Sequence, residues 1–445
     1  MLRVLDLNNF WSPTGGGVRR YHLQKLEYFK TREDVHYVFL MQDSETRTEV
    51  INETTLIEHV EAWKVPGNWE YRFLKDWRKV LEYILKVRPD VIEVGSPYVM
   101  PGLVKKAIDH LPDGFIAPRV VGFWHADFPV TYIYRFFRKF TEPVGKLFGA
   151  MGWAFARRQY NWMDGIYVSS EVIKERMLSH KMKKTFFVPL GVDAEHFHPS
   201  KRSKVIEAKL LKMDPGSSRR SIFFPHRFSQ EKGVRDLVAS YKSLKDDFPN
   251  LPRLIFAGTG PDLEMVEELI EDNGLCRYLG FIKSKDEMAE WYATCELGLA
   301  LSGWETFGLS ILEAMASGQV LIGANSGAAS EHITKSSSGY MVPTDDVPAL
   351  IDAIKKLAEL DDETLVKWSQ KSRAYAEKLT WNHCFDLEVK YYLEVYENNK
   401  GQRLDVTLSA PIYSDDFFIK KEVSHQDESK TNDLYVDESK STGEQ

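Results

Sequence analysis

Short apolar runs alternate with helical patterns along nearly the whole chain, and this alternation leaves few folds open. In the first half, strand-like runs fall at Leu2–Leu7, Val35–Met41, Asp90–Val94, Arg119–Trp124, Gly165–Ser169 and Thr185–Val188. Helical patterns lie between them at Val18–Phe29, Tyr71–Val87, Leu103–Leu111 and Glu171–His180. Buried strands joined by helices run parallel, and the helices cover both faces of the sheet. A second series follows, with strands at Ser221–Pro225, Leu254–Ala257, Tyr278–Phe281, Glu296–Leu301 and Val320–Gly323. Its helices are Val234–Leu244, Asp262–Glu271, Lys285–Ala293, Phe307–Ala316, Val347–Glu359, Glu363–Glu377 and Trp381–Tyr396. Val188–Pro199 (VPLGVDAEHFHP) interrupts the pattern with Pro189, Gly191 and Pro199 and marks the crossing between two α/β domains. The expected organisation is a first domain over 1–190, a second over 191–380, a last helix over 381–400 and an acidic, apolar-poor, disordered tail over 401–445.

Composition narrows the function classes. A chain of 445 residues exceeds one simple core, and 43% hydrophobic with 28% charged residues describes a globular protein. A net charge of −7 argues against a dedicated nucleic-acid binder. Cys276, Cys295 and Cys384 have no metal-ligand spacing, which points to a reducing, cytoplasmic setting without a zinc site or disulfide framework. The start lacks the features of a secretion signal, and no stretch is apolar for the length of a membrane span.

Chemistry concentrates at the ends of strands. Leu301–Gly318 joins a strand to a helix and carries Glu305 and Glu313. With Thr306 as the cap, the free amides of Phe307, Gly308 and Leu309 would form an anion site suited to a phosphate. Glu313, set among apolar neighbours about two turns into the helix, needs polar partners such as sugar hydroxyls if it is buried, and is otherwise an ordinary surface acid. Arg227 and Lys232 flank the loop after Ser221–Pro225, where they either grip a diphosphate or remain solvated surface cations. Gly15-Gly16-Gly17 follows the first strand, with Arg19 and Arg20 beyond, and serves either a ligand or a tight turn; its spacing is not a dinucleotide fingerprint. His125 stands at the carboxyl end of a strand in His-x-Asp, a place where open α/β sheets bind ligands. His196 and His198 lack a third ligand and make a poor metal site. In Tyr132–Trp162, aromatics interleave with cations, as in a helix lying on an anionic membrane or in one with a core-facing side and a solvated basic side.

Taken together, GGGVRR, His125 at its strand end, LGVDAEHFHP, HRFSQEKG, GTGP, the strand around LGFI, ETFGLSILEAMASG and SGAASE occur in the order and spacing of a family 4 glycosyltransferase, which the chain resembles from residue 15 to about 343. The resemblance implies the GT-B fold, two Rossmann-like domains facing across a cleft, with the last helix crossing back to the first. It implies a retaining, metal-independent transferase, without a cofactor, that moves a sugar from a nucleotide diphosphate donor to a hydroxyl of a glycan or lipid acceptor. By that analogy Arg227 and Lys232 hold the diphosphate and Glu313 the ribose. Glu305 meets the transferred sugar, Phe307 and Gly308 add amides, and Ile282 lies by the base. His125 sits near the donor sugar, with Gly16 and Gly17 near the diphosphate or acceptor. Two departures stand out: His226 replaces a usual glycine, and SGAASE has alanines where a glycine pair is common. Peripheral membrane contact through 132–162, at the inner face of the membrane, is the further partner expected. Rival readings are an epimerase or phosphorylase on the same fold, or a noncatalytic nucleotide-sugar binder docked to membrane.

Overall fold

The computed structural model describes residues 1–12, 16–65, 68–215 and 217–397, with no side-chain description for 68–70. The expected acidic tail over 401–445 lies outside the described residues. The first lobe contains β1 (Leu2–Leu7), α1 (Gly17–Phe29), β2 (Val35–Asp43), β3 (Arg47–Val50), β4 (Thr55–Glu61), β5 (Trp63–Val65), β6 (Asn68–Phe73), α2 (Trp77–Val87), β7 (Val91–Val94), α3 (Met100–Ile108) and β8 (Arg119–Phe123). A π-helical turn, Pro129–Tyr134, then leads into α4 (Arg135–Arg138), α5 (Glu142–Tyr160), β9 (Gly165–Val168), α6 (Glu171–Ser179) and β10 (Thr185–Phe187). Eight strands pair in the order β10-β9-β8-β7-β1-β2-β4-β3, parallel except for the edge strand β3.

The second lobe contains α7 (Lys204–Met213), β11 (Ser221–Pro225), α8 (Val234–Leu244), β12 (Arg253–Ala257), α9 (Leu263–Asp272), β13 (Cys276–Tyr278), α10 (Lys285–Thr294), β14 (Leu297–Ala300), α11 (Leu309–Ala316), β15 (Val320–Ala324), α12 (Gly327–Ser336), β16 (Gly339–Val342), α13 (Val347–Ala358) and α14 (Asp362–Ala376). Its six strands are all parallel, in the order β13-β12-β11-β14-β15-β16. Strand order reverses between β11 and β14, and in the first sheet between β1 and β7. Crevices open at such reversals, beyond the carboxyl ends of the strands.

Several expected elements shift. Tyr71–Val87 is not one helix, because Asn68–Phe73 pairs as β6 against β5 and the helix waits for Asp76, whose carboxylate caps it by accepting from Arg78 N. The hairpin and β3 have no strong period-two pattern. SGAASE supplies the N-cap residue and the first turn and a half of α12, and α7 is a helix beyond those the sequence pattern indicates. The helix expected from Phe307 begins at Leu309, which puts Glu313 about one turn in, not two.

The chain passes between lobes twice at one place. Val192 N donates to Leu379 O at 2.8 Å, and a Cβ on Gly191 would lie 2.1 Å from Trp381 N, so only glycine permits the two segments to touch. The second passage delivers α15 (Trp381–Glu397) to the first lobe, where Phe385, Val389 and Tyr392 are buried. There Lys25, wholly buried, has its Nζ 2.8 Å from Glu93 Oε1, 3.0 Å from Asp6 Oδ2 and 3.0 Å from Glu388 Oε2. Tyr21 Oη lies within hydrogen-bond distance of both Glu93 and Glu388, at 3.0 and 2.8 Å, and Tyr37 Oη donates to Asp6. Burial opposes the charge on Lys25, but three carboxylates outweigh it and hold its pKa above the ordinary value. Burial, with Glu93 adding repulsion against the pull of Lys25, pushes Glu388 up to about 8.

This shift has a sign. The folded chain keeps a proton on Glu388 that the unfolded chain releases near 4.5, so stability falls as pH rises from there to about 8, then levels. Glu388→Gln keeps the shape without a titrating proton. Melting between about pH 5 and pH 9 should show a flatter pH dependence, with the variant at least as stable as the parent at the alkaline end. A pH dependence unchanged by the substitution would show that the proton sits elsewhere.

Candidate active site

The crevices of the two sheets face one another across a cleft of about 820 Å³. The second lobe contributes the loop after β14. Gly308, at φ +78°, turns the chain into α11 in a conformation that a side chain would strain, since its Cβ would meet Ile311 Cδ1 at 2.5 Å. The first amides of a helix have no acceptor within it, so those of Leu309 and Ser310 are available where these residues line the cleft. Thr306 does not cap α11. Its hydroxyl donates to His125 O, 3.0 Å away in the other lobe.

Glu305 lines the cleft, and its Oε1 lies 2.5 Å from Lys232 Nζ. Burial by itself would raise its pKa, but Lys232, by charge and hydrogen bond, holds it below the ordinary value, so it is a carboxylate. Gly327 makes this loop position accessible: at φ +67°, a Cβ there would lie 2.8 Å from Gly303 O and 3.0 Å from Glu305 O. That one glycine of SGAASE answers the steric demand. His226 fits in the crevice between β11 and β14 by donating from Nε2 to Leu299 O at 3.0 Å, and burial followed by Lys232 lowers its pKa to about 4. It is neutral, and adds no charge to the cation site beside it.

Glu313 is buried and pairs with Arg20 from α1, so the arginine after the glycine loop meets a carboxylate of the opposite lobe. Gly16 and Gly17 line the cleft nearby. His125 also lines it, stacked on Phe123 with ring centroids 4.2 Å apart and edge-on to Tyr21 at 4.9 Å. Burial, then the nearby His22, lowers its pKa well below the ordinary value, which makes it a neutral donor or acceptor rather than a cation. Asp127 of the same motif turns away and pairs with Arg176 of α6.

Of the sequence-predicted residues, Gly16, Gly17, His125, Ile282, Glu305, Thr306, Phe307, Gly308, Leu309 and Glu313 converge on the cleft. Lys232 is joined to it through Glu305, while Arg227 is exposed beside it in sequence and does not line it. Sequence reasoning misses the aromatic wall of the first lobe, formed by Phe10, Tyr71, Phe73 and Tyr132 with Val65. The β5–β6 hairpin supplies three of these residues. Among the described residues, no group of three or more His, Cys, Asp or Glu is arranged to hold a metal ion.

Two facing sheets, each with its reversal at the cleft, set a carboxylate–lysine pair beside the start of a helix, an arrangement suited to a phosphorylated ligand. Residues 15–196 match the model described as Glycosyltransferase Family 4, and residues 212–375 the model Glycosyl transferases group 1. The chain belongs to the family 4 glycosyltransferases and has the GT-B fold. Its relatives include a GDP-mannose-dependent alpha-mannosyltransferase of Corynebacterium glutamicum, 24% identical over 75% of this chain and 73% of the relative. Another is a GDP-mannose-dependent alpha-(1-6)-phosphatidylinositol dimannoside mannosyltransferase of Mycobacterium tuberculosis, 26% identical over 76% of this chain and 83% of the relative. In fold it is similar to sucrose-phosphate synthase of Thermosynechococcus elongatus, with a TM-score of 0.68 and 17% identity over 90% of this chain and all of that one.

Proposed function

We propose that this transferase works with retention and without a metal, moving a sugar from a nucleoside diphosphate to a hydroxyl of a glycan or lipid-linked acceptor. The observation that carries this reading is the Glu305–Lys232 pair at 2.5 Å beside the start of α11. Breaking the bond between sugar and diphosphate builds negative charge on the leaving oxygen and positive charge on the ring. Lys232 and the amides at the start of α11, from Phe307 to Leu309, meet the first as a prearranged electrostatic sink, and Arg227, exposed outside the cleft lining, joins them only by turning its side chain inward. Glu305 orients the sugar hydroxyls and faces the second, Glu313 takes the ribose hydroxyls, and Ile282 lies by the base. Neutral His125 hydrogen-bonds the donor sugar, and Gly16 and Gly17 let the first lobe approach. The acceptor oxygen attacks the anomeric carbon as the bond to the diphosphate breaks, and its proton passes to the departing phosphate oxygen on the same face. Two carboxylates on opposite sides of a scissile bond, as a two-acid hydrolase needs, are not what one strand-to-helix turn supplies.

Two relatives are GDP-mannose-dependent, which makes GDP-mannose the first donor to try. A thermal-shift screen of UDP, GDP, ADP and their sugars, followed by turnover of the sugar that binds, tests the reading. Retention is read from the anomeric configuration of the product, and metal independence from undiminished turnover in a chelator. An inverted product or a chelator-abolished rate would overturn the corresponding part.

The aromatic–cationic stretch supports membrane contact. Phe136, Phe140, Leu147 and Met151 are exposed, with Arg138, Lys139 and Lys146 among them. None of the described helices is long and apolar enough to cross a membrane. The chain should sediment with vesicles containing anionic lipid and much less with zwitterionic ones. Equal recovery in the supernatant of both would remove the membrane from the proposal.

A further inference from the structure

The helical hairpin formed by Pro129–Tyr134, α4 and α5 does more than expose a face. Gly145, Gly149 and Gly152 lie along the inner side of α5, where a Cβ would meet Arg138 Cα at 2.9 Å, Tyr134 Cβ at 3.2 Å and Ile133 Cδ1 at 2.9 Å. The two arms therefore touch almost backbone to side-chain root, and Phe137 stacks on Phe148 with centroids 3.7 Å apart. Such close packing makes the arms one body and fixes the direction of every side chain leaving it. Trp153, stacked on Trp124, seats that body on the first lobe.

From this body Arg135 extends to the second lobe. Its Nη1 donates to Glu231 Oε2 at 3.3 Å, and its guanidinium carbon lies 5.7 Å from the centre of the Trp304 ring. Glu231 immediately precedes Lys232, and Trp304 immediately precedes Glu305. One side chain thus contacts both loops whose next residues form the 2.5 Å pair in the cleft. Arg138, one turn on, lies 3.9 Å from Asp345.

Resting on the nucleotide-sugar reading above, we propose that Arg135 is a positioning residue: it braces the loops of Lys232 and Glu305 against each other and makes donor binding depend on the seating of the helical hairpin. A half-exposed ion pair contributes little to folding, so the brace should show in donor affinity rather than in stability. A planar guanidinium can serve a carboxylate and an indole at once, which an ammonium cannot do equally well.

The test is calorimetric binding of UDP and of GDP to the full chain and to Arg135→Ala, Arg135→Lys, Glu231→Gln and the Arg135→Ala/Glu231→Gln double variant. For the nucleotide that binds, Arg135→Ala should weaken affinity by about 10-fold, with Tm nearly unmoved. Arg135→Lys should recover only part of it. The double variant should be no worse than Arg135→Ala alone, because the pair acts as one unit. Arg135→Ala with unchanged affinity, or single effects that simply add, would overturn the brace while leaving the donor site standing. A wild-type chain that binds neither nucleotide would instead overturn the donor reading on which the brace depends.

Discussion

Lys232→Met should lower the transfer rate by about 100- to 1,000-fold while leaving the melting temperature almost unchanged, because the lysine supplies preorganised charge rather than core. Its Nζ is the cation against which Glu305 stays ionised, and without it burial acts on that carboxyl unopposed. The pKa of Glu305 then rises. Residual activity in the variant should therefore climb with pH over a range in which the parent is already level, a second readout independent of the overall loss. A folded variant within tenfold of the parent, with an unchanged pH profile, would remove Lys232 from the donor site.

Lys25→Met should be costly for stability instead of chemistry. The substitution leaves Asp6, Glu93 and Glu388 around a methionine in a wholly buried space, and stranding buried charges costs about 3–5 kcal/mol. A fall in Tm of roughly 10 °C is expected, with a matching shift of the denaturant midpoint. Adding Glu93→Gln should return part of the loss, since one stranded charge goes with it. An unshifted Tm would mean that the three acids do not depend on this cation. Its effect should exceed that of Glu388→Gln, which removes only the group that already holds a proton near neutrality.

These two lysines show what one-dimensional reading reaches. Lys232 is legible because its meaning is local: a cation in the loop at the end of a buried strand, seven residues after a run such as SIFFP, sits where α/β crevices open. The same locality makes His125, Glu305, Gly308 and the strand series legible. Lys25 is not, since it lies mid-helix in HLQKLEYF and its acids come from β1, β7 and a helix hundreds of residues later. Arg20 is half-legible: a cation after a glycine loop suggests an anion, but the anion is Glu313, 293 positions away. Thr306 has the residue type of a cap, yet the left-handed Gly308 displaces the helix start, and its hydroxyl bonds across the cleft instead. The aromatic wall is hidden for another reason: Tyr71 and Phe73 enter the cleft only because a hairpin without a clear alternating pattern folds beside it.

The double passage at Gly191 and Thr380 also sets an order of assembly. The sheet of the first lobe is complete in sequence at Phe187, but the carboxylate of Glu388 and the apolar face of α15 that close it are made roughly 200 residues later. At 5–20 residues per second the ribosome needs about 10–40 s to deliver them. During that interval the nascent lobe carries an open seam, with Lys25 short of a partner, while the whole second lobe is synthesised. The chain thus finishes its beginning last, and a release that stops before α15 leaves both lobes present and the first one unsealed.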